Sequence, residues 1–176
     1  MVPATVESLR RGRSSLPDDD YWAAKIIAAL KPEHLDALFE AAKHPDEKYT
    51  ADILDTLKKR REKTLRYAFG QVSPLEVSNL EGGKLILKDI GAEEAGLASS
   101  EYRVSFLNSR GRKIAAGVTV QGGNEIEIPI SQALQASKGY LRVDVTAVRD
   151  GHAAPRAAQF HIRQSGDAPS LAGVVH

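Results

Sequence analysis

Cysteine is absent from this chain of 176 residues, and methionine and tryptophan occur once each. The absence of cysteine excludes a disulfide framework, a thiolate metal site and a cysteine nucleophile, while leaving the redox compartment open. Long apolar runs are missing too. No stretch approaches the roughly 18 consecutive apolar residues of a membrane-spanning helix. The charged opening MVPATVESLRRGRSS leads into no apolar segment of signal-peptide length. An excess of one charge sign is also lacking: the net charge is +1. Residues 1–70 hold 13 Lys and Arg against 12 Asp and Glu, and the remainder holds 11 of each. Whole-molecule attraction to nucleic acid or to an anionic membrane is therefore not indicated.

The motifs of common chemistries are missing as well. There is no G-x-S-x-G serine, no phosphate loop and no Rossmann glycine set. The histidines, His34, His44, His152, His161 and His176, form no H-E-x-x-H pair, and PDDDYW lacks the spacing of a calcium loop. No metal and no cofactor are expected. What is present is the composition of an ordinary soluble globular protein, 42% apolar and 27% charged. The length suffices for one domain or two small ones around a real core.

The pattern changes along the chain. Residues 1–16 are polar, basic and aperiodic, the character of a linker or disordered lead-in. Order begins at LPDDDYWAAKIIAAL, where Pro17 suits a first helical position and Asp18, Asp19 and Asp20 complement the positive end of a helix dipole. Pro32 ends this helix at Lys31 and opens a second, PEHLDALFEAAK, with Leu35, Leu38, Phe39 and Ala42 on one stripe. A third runs from about Asp46 to Phe69 with Gly70 as its expected cap. After Gly70 the apolar period becomes 2. Seven strands are expected, over 75–79, 84–88, 102–107, 113–120, 125–130, 141–148 and 157–163, separated by glycine-bearing turns. Their inward sets are Tyr102, Val104 and Phe106; Ile126, Ile128 and Ile130; Leu141, Val143 and Val145; Ala158, Phe160 and Ile162. The tail over 165–176 is expected to be flexible. The fold class that follows is α+β in separate segments: a three-helix subdomain over 17–70, then a seven-stranded antiparallel β-sandwich over 71–164.

Within the strand region, EYRVSFLNSRGRKI, NEIEIPISQALQASKGYLRVDVTAV and RDGHAAPRAAQFHIR together resemble a fibronectin type III or related immunoglobulin-like module over about residues 72–164. KLILK carries no core tryptophan, and Tyr140 stands one residue out of phase with the usual corner tyrosine. The resemblance implies a spacer or binding module rather than an enzyme.

Several residues are candidates for function. LKKRREKTLR is helical and basic, but Asp55 precedes Lys59 by four and Glu62 precedes Arg66 by four, so its outer charges are answered locally. Arg61 instead falls on one face with Ile53, Leu54, Leu57, Thr64 and Ala68, with Arg60 at its margin. There it must reach solvent or a carboxylate, with Asp36, Glu40 or one of Asp18–Asp20 as candidate partners in a structural ion pair. Paired carboxylates occur at Glu93–Glu94 and at Glu125/Glu127, and the latter two, on one strand face, suit exposed surface. With 6% aromatics and Tyr140 as the one outward ring of the strand region, a sugar platform is not expected. Tyr21 and Trp22 are the candidates for a contact surface, with core packing as the favoured role. The expected function is a non-catalytic protein-interaction or accessory module, the terminal domain of a larger exported or envelope-associated bacterial protein or a separate, otherwise cytoplasmic, binding protein. Its expected partner is a protein or a neighbouring domain. A small-ligand or enzyme-accessory domain with a cleft at the helix–sandwich junction is the alternative, and nucleic-acid binding through the basic helix ranks third.

Overall fold

The computed structural model describes residues 17–43, 45–123, 125–165 and 168–176; the expected lead-in over 1–16, His44 and Asn124 lie outside the described residues. Helix α1 (Pro17–Ala29) stops two residues earlier than expected. Leu30 N donates to Ile27 O at 3.1 Å and tightens the last turn before the residue preceding Pro32, which is barred from helical geometry. Helix α2 (Pro32–Ala42) starts on that proline and ends at Lys43 in the left-handed region, φ 48°. Asp46 caps α3 (Glu47–Gly70) by accepting from Tyr49 N at 2.9 Å. Gly70 is not the left-handed cap: α3 runs through it, and Gln71 closes the helix at φ −83°.

Tyr21, Ala24 and Ala28 of α1 pack on Leu65, Ala68 and Phe69 of α3, with Val72 beneath. Helix α2 buries only Leu35 of its apolar stripe, and Leu38 stays exposed.

Strands β1 (Leu75–Glu81), β2 (Lys84–Asp89) and β5 (Glu125–Pro129) form one antiparallel sheet in the order β1-β2-β5. The other sheet runs β4-β3-β6-β8-β9, with β3 (Glu101–Leu107), β4 (Val118–Gln121), β6 (Tyr140–Arg149), β8 (Ala158–Ser165) and β9 (Ala168–Val175). A two-residue strand β7 (His152–Ala153) pairs with β6. Every expected inward set is buried, and the two sheets share one apolar core, an arrangement compatible with a β-sandwich. Three features correct the reading of the sequence. The tail is not frayed: 168–175 is a strand paired with β8, its register shifted by a bulge at His161/Ile162. The fourth strand is four residues long, and Lys113 makes only an isolated bridge to Leu107. Two short helices, α4 (Ile90–Ala95) and α5 (Ser131–Ala136), interrupt the strand region. Helix α4 brings Ala95, with Ile90 and Leu97 alongside, into the core of the helical segment.

Candidate functional site

Neighbouring residues on a helix point about 100° apart, and this separates Tyr21 from Trp22. Tyr21 is fully buried between α3 and the C-terminal strand, so its expected place in a contact surface is corrected: it is core. Its ring meets Phe69 and stacks on the imidazole of His176, centroids 3.9 Å apart. Its hydroxyl donates to Glu76 Oε1 at 2.5 Å, and Lys25 Nζ reaches the same oxygen at 2.7 Å. Burial, and then the Glu76 carboxylate, push the Tyr21 phenol above its usual range, so it remains a donor. Burial acts to raise Glu76, but the hydrogen bonds from Lys25 and Tyr21 outweigh it and hold the carboxyl below its ordinary value.

Trp22 faces outward and is 56% exposed, its indole edge-on to Tyr21 with Lys25 Nζ 4.6 Å above the ring. Ile26, one turn on, is 75% exposed, and Leu30 continues the row past the helix end. The weak amphipathicity of α1 follows: one face is apolar because it is core, and the other is apolar and uncovered. Beside Trp22 a groove of about 330 Å³ opens between β1 and β9, the edge strands of the two sheets. Leu75, Val77 and residues 171–174 line it, with Glu76 and His176 at its polar end.

Arg61 lies at the opposite end of α1. Its Nε donates to Leu30 O at 2.6 Å, and its Nη2 donates to Ala28 O at 3.0 Å and lies 3.3 Å from Glu94 Oε2. Lys31 binds the other oxygen of Glu94. The acceptor is on α4, not Asp36, Glu40, Asp19 or Asp20, and the Asp18 side chain lies outside the described residues; Asp36 is engaged by Lys58 at 2.6 Å. Glu94 could not be chosen from sequence, because it lies 33 residues away beyond two strands. Elsewhere on α3, Lys59 pairs with Asp55 and Arg66 with Glu62.

Two buried polar centres join the helices to the sheets. Asp89 caps α4 through Gly91 N and Ala92 N and accepts from Ser99 Oγ and Tyr102 OH. Burial pushes the Tyr102 phenol up, which keeps it a donor there. Arg149 donates from Nε to Leu97 O at 3.2 Å and places Nη1 3.5 Å from both Phe69 O and Val72 O. Among the described residues no group of three or more His, Asp or Glu converges as a metal site, and no helix is long and apolar enough to cross a membrane. His34 Nδ1 accepts from Lys31 N, and His161 bonds Tyr140. Comparisons with protein-family models, curated proteins and solved structures found no match.

Proposed function

We propose that this chain is a non-catalytic interaction module that docks a protein partner on the outer face of α1. The observation that carries this reading is the uncovered row Trp22, Ile26 and Leu30, continuous at Trp22 with the apolar groove between β1 and β9. A large aromatic flanked by aliphatic side chains, on a helix whose opposite face is fixed in a core, has the makings of an interface hot spot. A fibronectin type III or immunoglobulin-like frame supports the same role. Lettered in chain order, β1-β2-β5 reads A-B-E and β4-β3-β6-β8 reads C′-C-F-G, with β9 as an added edge strand. Such frames present binding surfaces on loops and edges.

A photo-crosslinking residue placed at Ile26, with Lys63 on α3 as control position, tests this in cells. The expected result is a discrete protein adduct from position 26 alone. It should fall about tenfold or more when Trp22 is replaced by alanine, with the fold retained and the melting temperature lowered by only a few degrees, the loss of the edge contact to Tyr21 and of the Lys25 contact. No adduct, or the same adducts from both positions, overturns the reading. The junction cleft is the second reading, favoured by the groove beside Trp22. Arg61, which would serve a ligand there, is occupied by Leu30 O, Ala28 O and Glu94.

A further inference from the structure

We infer that the end of the sandwich far from the three long helices is a binding surface for an acidic polypeptide segment. No Asp or Glu occurs from Tyr102 to Asn124, from Ile128 to Val143 or from Gly151 to Gly166. The fold draws these three acid-free stretches together. The β3–β4 loop carries Arg110, Arg112 and Lys113; the α5–β6 loop carries Lys138; the end of β8 carries Arg163. Tyr140 stands directly opposite Arg163 in the β6/β8 register, so the two side chains share the outer face of the sheet. Arg110, Lys138 and Tyr140 line one cleft of about 430 Å³ with Asn108 and Ser109.

All five cations are exposed, and none is ion-paired among the described residues. Among the described residues, the nearby carboxylates are committed elsewhere: Asp144 to Arg142 at 2.9 Å and Glu127 to Lys84 at 2.6 Å. Glu81 lies on the other sheet. The basic stretch of α3 differs in degree, since there Lys58, Lys59, Arg61 and Arg66 each have a carboxylate and only Arg60 and Lys63 carry no ion pair among the described residues. The patch is also built on fixed backbone. Asn108 Oδ1 accepts from Arg110 N and Arg112 N, and Gly111 turns the loop at φ 72°. Lys138 and Gly139 follow at φ 55° and 95°.

The spread of charge selects the ligand. The cations span the ends of β3, β6 and β8, which at about 4.8 Å per strand covers some 10 Å or more. A single small anion cannot answer them all, whereas an extended acidic chain presents a carboxylate on one side about every 7 Å. The surface offers no free ring for stacking bases: Tyr140 is half-buried and hydrogen-bonded to His161. Nucleic acid is therefore the weaker occupant. Ten-residue β6 sets this patch about 30 Å from the helix-side end of the sheet, so it is independent of the Trp22 surface.

The test is titration of the whole protein with poly-L-glutamate and, separately, with an oligothymidylate, at about 50 mM and 300 mM salt. The expected result is salt-sensitive binding of polyglutamate, tighter than that of the oligothymidylate. It should weaken about tenfold or more in Arg110→Ser/Lys138→Ser/Arg163→Ser and stay unchanged in Arg60→Ser/Lys63→Ser and in Trp22→Ala. Lys138→Glu alone, in an exposed loop, reads the same site if the triple variant does not fold. Tighter binding of the oligothymidylate overturns the acidic-peptide assignment. No polyglutamate binding at low salt, or binding equally lost in the α3 variant, overturns the site.

Discussion

Arg61 is anchored where a cation does most for α1, at the carbonyl end of the helix dipole, with its guanidinium spread over Leu30 O, Ala28 O and Glu94. Arg61→Met keeps the aliphatic stem but strands two carbonyls and part of the Glu94 charge. The expected cost is about 2–3 kcal/mol, read as a lower urea midpoint with unchanged slope. A variant as stable as the parent would show that solvent replaces all three contacts. At the same scale, Tyr21 and Trp22 differ only in direction. Both are large aromatics beside a helix start, and nothing in the local sequence says which one α3 will cover.

Among the elements, Gly122 shows how tightly the loop after β4 is set. A Cβ at this position would stand 2.0 Å from Ser99 O and 3.1 Å from Ser100 O, both backbone atoms that cannot swing aside. Gly122 N also donates to Ser100 O at 2.9 Å, tying this loop to the segment before β3. Gly122→Ala should therefore destabilise by about 3 kcal/mol, measured by urea unfolding; a loss below 1 kcal/mol would mean that the loop relaxes freely. Strand β9 carries a different lesson. Its sequence APSLAGVV has a proline and a glycine and little alternation, so no period marks it. It is a strand because β8 offers it a free edge to pair with.

For the whole molecule, two apolar cores are held together by buried polar groups and by α4, which belongs in sequence to the strands and in packing to the helices. Ser73 adds to the joint: its hydroxyl donates to Arg156 O and accepts from Ala147 N. Because Ile90, Ala95 and Leu97 lose their cover if the helices open, the two cores should unfold together. Trp22 fluorescence reports the helices and far-ultraviolet circular dichroism reports the backbone. The two urea transitions are expected to superimpose, and midpoints separated by more than about 0.5 M would show two independent units.

Sequence alone determined what local periodicity can carry. The three long helices, the strand positions around Tyr102–Phe106, Ile126–Ile130, Leu141–Val145 and Ala158–Ile162, and the buried faces of those strands follow from spacing 3.6 or 2. It also excluded the chemistries that need cysteine or a signature motif. What it could not settle depends on residues far apart in the chain. Glu94 as the partner of Arg61, Tyr21 buried while Trp22 is bare, β9 paired to β8, and basic loops gathered at one end of a sheet are each fixed by packing. A side chain's partner is chosen by the element that tertiary structure lays against it, and local pattern holds no record of that neighbour.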